Sequence, residues 1–297
     1  MEVVYNEDDY IVNDAMKDAY LKHGYIIVRK LFSLEEVEQI IKNYEEGEAY
    51  HKYEFQVKDS DGNHSVQTTW NFPGNDVFGM AVRTQKLVET CAQLLGGEVY
   101  HYHSKIVIKH PKTGGQRCWH QDYGYWYNNF VPFPDLITAF IAIDPINKAN
   151  GCLQVLDGSH TAGRIEHALT GGEKGADMER VEQLLKVCPL KYIEQQPGDV
   201  LFIHSNILHK SDTNTSNDRR MAFLPVYNRK SNSPLREGIH PGYTPLDVVY
   251  NDAVLDCENY TDLNGKGFLD ISDPECLKTV LNLDSAASLK ETPYNTS

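Results

Sequence analysis

Three residues of this chain could hold a metal ion together. His120 and Asp122 stand two apart in the run Cys118-Trp119-His120-Gln121-Asp122-Tyr123-Gly124-Tyr125-Trp126. In an extended strand, positions i and i+2 share a face, so an imidazole and a carboxylate there would enter one space. Taken alone, such a pair is more often a hydrogen-bonded decoration of a strand than a metal site. It gains meaning from a distant histidine, because two imidazoles and one carboxylate make the facial triad that binds Fe(II) and leaves positions open for a co-substrate and oxygen. His160, His204 and His209 are the candidates. His209 is favoured because Ser211 and, across a polar turn, Arg220 follow it, and a hydroxyl with a guanidinium can grip a carboxylate. Iron beside a carboxylate clamp suggests 2-oxoglutarate.

These side chains need a scaffold, and the sequence patterning predicts one. Residues 13–23 follow a helical pattern that stops at Gly24, and Tyr25-Ile26-Ile27-Val28 reads as a short strand. Ser33 and Glu36 form a capping box that opens a second helix, with Val37, Ile40, Ile41 and Tyr44 at helical spacing. A third helix is expected from about 80 to 95, closed by Gly96-Gly97. From residue 98 the texture changes to short strands, 99–109, 136–143, 151–156, 200–204 and 220–227, separated by turn residues at spacings typical of a sandwich. A single domain is therefore expected: a helical part over about 10–97, a β core over about 98–230 and a C-terminal extension over 231–297. The loop-rich stretch 164–189 and the extension are expected to pack around the core or cover an opening in it.

Composition narrows the function. The 297 residues are 41% hydrophobic and 24% charged, enough to bury a sizeable core. With 42 acidic against 28 basic residues the net charge is −14, a poor match for nucleic acid or an anionic membrane surface. The acidic start resembles no signal or transit peptide, and no apolar run approaches the roughly 20 residues of a membrane span, so a cytoplasmic protein is expected. Cysteines 91, 118, 152, 188, 257 and 276 are widely spaced and read as free thiols. The Asn-x-Ser sequons at Asn63, Asn214 and Asn295 then carry no meaning.

At this point the sequence resembles the phytanoyl-CoA dioxygenase family of Fe(II)/2-oxoglutarate oxygenases, from about Gly24 to Tyr227. The resemblance rests on an ordered set of motifs. Lys105 stands four residues before Lys109-His110-Pro111, where the family has a 2-oxoglutarate contact before a Lys-x-Pro. His120 and Asp122 match the first half of the family's triad. Asn150-Gly151-Cys152-Leu153 with Gly158-Ser159-His160, and the strand Pro197-Gly198-Asp199 to His204, match two further segments. His209, Ser211 and Arg220 match the distal ligand and the co-substrate anchor. Phe140 stands where many members have Trp, and Lys105 where others carry Met. The resemblance implies a mainly β fold with flanking helices, a double-stranded β-helix or jelly-roll core. It implies iron on His120, Asp122 and His209, 2-oxoglutarate held by Arg220, Ser211, Lys105, Thr138 and Phe140, and O2 as the second co-substrate. Because Asp122 is present, hydroxylation, ring closure or desaturation is implied rather than halogenation.

For the substrate, Tyr123, Tyr125 and Trp126 are the expected wall, and Arg117, Arg164, Arg229 and Lys230, with Lys105, are the candidate partners of a substrate carboxylate. A small amino-acid-like molecule is expected. The family's free-proline hydroxylases, and kainoid-type cyclases of N-prenylated glutamates, are the models. A lipid or acyl-CoA substrate is the alternative, although no basic run suits three phosphates. A cupin-type zinc or manganese enzyme or a metal-free binding module are readings from other classes; neither accounts for the ordered set ending in Arg220. No obligate protein partner is evident.

Overall fold

The computed structural model describes residues 1–7, 10–170, 173–274 and 276–277. Fourteen strands are named within them: β1 (Glu2–Val4), β2 (Tyr25–Arg29), β3 (Phe55–Lys58), β4 (His64–Trp70), β5 (Val99–Lys109), β6 (Arg117–His120), β7 (Leu136–Ala142), β8 (Leu153–Leu156), β9 (His167–Thr170), β10 (Glu173–Ala176), β11 (Leu190–Ile193), β12 (Val200–His204), β13 (His209–Ser211) and β14 (Arg220–Arg229). Eight of them form one sheet in the order β1-β2-β12-β7-β14-β5-β4-β3, and four form a second in the order β11-β8-β13-β6. This is the jelly-roll core with flanking helices.

Alternation along the strands divides the interior. On β12, Val200 and Phe202 face the helices, while Leu201 and Ile203 face the second sheet; on β14, Met221 and Phe223 go one way, Ala222 and Leu224 the other. The helices α1 (Asp14–His23), α2 (Leu34–Glu46) and α3 (Gln85–Leu95) cover the outer face of the large sheet with Met16, Tyr20, Val37, Ile40, Leu87 and Cys91. The Ser33–Glu36 capping box is present, with both reciprocal bonds at 3.1 and 2.7 Å.

Three expectations are corrected. The helix expected from about 80 to 95 is two, Val77–Ala81 and α3. Between them Arg83 and Gln85 exchange backbone hydrogen bonds with Val249, at 2.8 and 2.9 Å, so a distant segment takes groups that a continuous helix would use. The N-terminal part also contains the hairpin β3–β4, which extends the large sheet beside β5; the Asp61-Gly62 turn was its signal. The stretch 164–189 is not mainly loop: β9 and β10 form a hairpin followed by the helix Met178–Leu184.

The C-terminal extension runs back over the sheet edge. The Asn71 N–H donates to the carbonyls of Lys266 and Gly267 at 3.0 and 3.1 Å. Lys266 and Asp76 form a fully buried ion pair at 2.8 Å. Removing one member of such a pair costs roughly 3–5 kcal/mol, so the extension is held firmly. The six cysteines are free thiols. Asn214 is buried and its side chain donates to the carbonyls of Lys109 and Asp218, which leaves no room for a glycan; Asn295 lies outside the described residues. No helix among the described residues is long and apolar enough to cross a membrane.

Candidate active site

His120 ends β6 and His209 begins β13, and the antiparallel ladder sets the two directly opposite each other. Their ring centroids are 4.1 Å apart. Each Nδ1 is bonded to a backbone carbonyl two residues back, His120 to Cys118 at 2.8 Å and His209 to Ile207 at 3.0 Å. A carbonyl only accepts, so each Nδ1 carries the proton and each Nε2 keeps its lone pair, the tautomer a metal ligand requires. Burial pushes both imidazoles below the ordinary histidine range, keeping them neutral.

Asp122 completes the group by a route the sequence did not suggest. β6 stops at His120, and Asp122 opens the short helix α4 (Asp122–Trp126), so the shared face of a strand is not what joins the pair. The chain turns because Tyr123 N–H bonds to the Ser205 carbonyl at 2.9 Å and Gln121 is stitched into the segment beyond it, its side chain bonding Gly163, Ile165 and Asn206. Gly124 packs so closely on His167 that a Cβ there would lie 2.1 Å from the ring. Thr138 on β7 donates to Asp122 Oδ2 at 3.0 Å, and Oδ1 lies 3.9 Å from His120 Nε2. Ligand atoms of His120, Asp122 and His209 all lie within 4.8 Å of one another.

Two chambers meet at this triad. The inner one is lined by Lys105, Lys109, Phe140, Ser211 and Arg220, together with the triad. Arg220 lies directly across the β14–β5 ladder from Lys109. Two cations so placed repel each other. Lys109 is satisfied by Ser211 Oγ at 2.8 Å and the Asp212 carbonyl at 2.6 Å, and burial with the Arg220 charge pushes its ammonium well below the usual range. The Arg220 guanidinium has no such partner among the described residues: it is fully buried over the Phe140 ring, its Nε makes no hydrogen bond with any of them, and burial pushes its pKa down to about 10. Its neighbour Arg219, by contrast, is bonded twice to Asp144, at 2.8 and 3.0 Å. A buried guanidinium left open beside a hydroxyl and three metal-ligand side chains fits an anion such as the carboxylate of 2-oxoglutarate.

The outer chamber is lined by Gln67, His103, Lys105, Arg117, Tyr125, Trp126, Asn129, His240 and Leu269, again with His120 and Asp122. Lys105 and Arg117 border both chambers. Lys105 makes no hydrogen bond or ion pair with a described residue, and burial pushes its ammonium down, against the pull of Asp122. Arg117 is aimed by a relay, donating to Tyr125 OH at 3.2 Å, while that hydroxyl donates to the Lys174 carbonyl at 2.6 Å.

Not every expected residue arrives. Thr138 holds Asp122 rather than facing the inner chamber. Tyr123 turns its hydroxyl to the carbonyls of Val131 and Pro132 and borders neither chamber. Arg164 pairs with Glu166 at 2.6 Å, in a separate cleft with Asp177 and Arg180. Arg229 lies 3.7 Å from Asp135 and donates to the Gly96 carbonyl, and Lys230 pairs with Glu98 at 2.8 Å. These three basic residues are corrected from substrate partners to ion pairs away from the chambers: β14 runs on to Arg229 and carries Arg229 and Lys230 off, while Arg164 stands in the segment before β9 and faces the other cleft. His160 bonds the Leu21 carbonyl and His204 the Asn206 N–H, so neither competes as a ligand. Lys109, His103 and His240 were missed as lining residues. Alternation along β5 puts His103, Lys105, Val107 and Lys109 on one face and could have found the first two; His240 had no such signal.

The family model for phytanoyl-CoA dioxygenase matches residues 20–222. The chain is 32% identical to an L-proline trans-4-hydroxylase of Streptomyces griseoviridis over 190 residues, 59% of this chain and 69% of that one. It is 25% identical to an ectoine dioxygenase of Bordetella parapertussis over 261 residues, 80% of this chain and 84% of that one. Among solved structures, EctD from S. alaskensis with 2-oxoglutarate and 5-hydroxyectoine superposes with a TM-score of 0.68 at 21% identity, covering 83% of this chain and 90% of that one. With its jelly-roll core, its opposed histidines and a match over residues 20–222, the chain belongs to the phytanoyl-CoA dioxygenase family.

Proposed function

We propose that this chain oxidises an unactivated C–H bond of a small, carboxylate-bearing, amino-acid-like molecule, by hydroxylation or by oxidative ring closure of the kainoid type. It is an Fe(II)- and 2-oxoglutarate-dependent dioxygenase. The observation that carries the reading is the unpartnered, buried Arg220 in the same chamber as the His120, Asp122 and His209 ligand set.

On this reading the two neutral imidazoles and the Asp122 carboxylate hold the iron, and Thr138 fixes the carboxylate's orientation. Iron with 2-oxoglutarate and O2 supplies the oxidising power for C–H cleavage. Arg220 and Ser211 bind the distal carboxylate of 2-oxoglutarate, and Lys109 orients the Ser211 hydroxyl. Lys105, at the junction of the chambers, takes the substrate's carboxylate and presents its C–H bond to the metal side. Tyr125 and Trp126 wall the space and exclude water. Relatives named for proline and ectoine support a small zwitterion as substrate. A lipid or acyl-CoA is disfavoured by an outer chamber lined by only two Lys or Arg side chains among the described residues, Lys105 and Arg117, too few for three phosphate groups.

The test has two parts. Anaerobic addition of Fe(II) and 2-oxoglutarate should produce a visible metal-to-ligand charge-transfer band; its absence defeats the oxygenase assignment. Mass spectrometry of an amino-acid library incubated with the loaded enzyme and oxygen should then reveal a product gaining one oxygen atom or losing a pair of hydrogens. More efficient turnover of an acyl-CoA than of any amino acid would reject the substrate class.

A further inference from the structure

The outer chamber holds a histidine pair that neither the metal nor the co-substrate requires. His103 from β5 and His240 from the C-terminal extension stack with centroids 4.6 Å apart and planes 25° apart. Asn71 determines the tautomer of His240. Its Nδ2 donates to the Ile239 carbonyl at 2.6 Å, so its Oδ1 is the atom that meets His240 Nδ1 at 2.8 Å. A carboxamide oxygen only accepts, and turning the amide over would set that oxygen against the Ile239 carbonyl. Nδ1 therefore carries the proton, and Nε2 is left as a lone-pair acceptor. His240 is 9% exposed, lines the outer chamber with Lys105 and Asp122, and makes no other side-chain hydrogen bond with a described residue. Burial, with the Lys105 ammonium adding to it, pushes the imidazole down to about 3, so the ring is neutral at ordinary pH. Asn71 is itself clamped by Lys266 and Gly267, so the acceptor is held in place before any substrate arrives.

A fixed neutral acceptor in one chamber with an unpartnered ammonium matches a molecule that carries a hydrogen-bond donor and a carboxylate close together. We propose that His240 Nε2 receives the substrate's amine while Lys105 takes its carboxylate, so that the outer chamber recognises an amino acid by both ends. A primary or ring secondary ammonium N–H makes a charge-assisted bond to the imidazole, stronger than a neutral donor would, and a site built for that bond rejects an analogue lacking it because the acceptor is then left buried and unpaired. The inference rests on the oxygenase reading for the identity of the chamber as the substrate site.

Saturation-transfer NMR on the full chain loaded with Zn(II) and 2-oxoglutarate, where no turnover consumes the probes, tests it with matched pairs: L-proline with cyclopentanecarboxylate, L-leucine with isocaproate, and L-phenylalanine with hydrocinnamate. In at least one pair the amino acid should bind about tenfold more tightly or better. His240→Phe, which keeps a ring and removes the acceptor, should bring that ratio near unity with 2-oxoglutarate affinity unchanged. His240→Gln, which offers an amide oxygen, should recover part of it. Equal binding within every pair, a preference that survives in a folded His240→Phe, or no binding by any of the three amino acids overturns the inference. Failure of the oxygenase reading is seen separately, as a missing Fe(II)–2-oxoglutarate band with the binding ratio intact.

Discussion

The inner chamber takes its chemistry from β5, β6, β7, β13 and β14, whose ladders set Arg220 across from Lys109 and His209 across from His120. The outer chamber takes Tyr125 and Trp126 from α4, Asn129 from the turn after it, and His240 and Leu269 from the C-terminal extension, with β5 supplying His103 and Lys105. One half is cationic and set by strand register; the other is ring-lined and assembled from segments far apart in the chain. The difference teaches a division of labour. A co-substrate of fixed shape suits a chamber whose charges cannot shift without breaking a sheet, while substrate choice suits walls on turns and extensions that can vary without disturbing the core.

The largest expected effect removes the junction itself. Asp122→Ala leaves two ligands, and turnover of 2-oxoglutarate should fall by more than the roughly 100-fold seen at the upper end for changes behind a metal's ligands; iron titration by calorimetry should show the lost affinity. Full activity in that variant would remove Asp122 from the site and with it the shared boundary of the chambers. Next, Arg220→Ala should weaken 2-oxoglutarate binding by roughly 2 to 5 kcal/mol, the scale for one partner of a buried charged pair, with substrate binding little changed. If the Kd of 2-oxoglutarate is unmoved, the inner chamber does not hold it. The smallest effect is the most discriminating. Lys105→Ala should raise substrate KM about tenfold, leave 2-oxoglutarate affinity nearly intact, and uncouple succinate formation from product formation, because an unanchored substrate no longer presents its C–H bond. Weakened 2-oxoglutarate binding with tight coupling would assign Lys105 to the inner chamber and shift the substrate carboxylate to Arg117.

Much of this was legible in the residues. β5 and β12 fall on the spans read from alternation and turn residues, α1 ends at Gly24 where its helical pattern stops, and α2 begins at the capping box visible at Ser33 and Glu36. Those features depend on neighbours a few positions away, which is the range over which periodicity and capping act. Asp122 was named for a geometric reason that does not hold: the chain leaves the strand before it, under bonds from Ser205 and around Gln121 that no local pattern encodes. The break between Val77–Ala81 and α3 has the same origin, in Val249.

The amino-acid sequence by itself determined the ligand types and the anchor eleven positions past the distal histidine, because side-chain chemistry and spacing are properties of the chain, whereas the short strands β6 and β13 that carry His120 and His209 fall outside the strands expected from its patterning. Tertiary structure alone decided which cations matter. Arg219 and Arg220 are neighbours, and only packing sends one to Asp144 and leaves the other buried without a carboxylate. Arg229 and Lys230 look as suitable as Lys105 on paper, yet a strand two residues longer than expected takes them to surface acids. His240, 137 positions along the chain from its stacking partner His103, acquires its tautomer from Asn71, whose backbone N–H is held by the Lys266 and Gly267 carbonyls. Such contacts join segments whose separation along the chain carries no period, so only the closed fold brings them within hydrogen-bond reach.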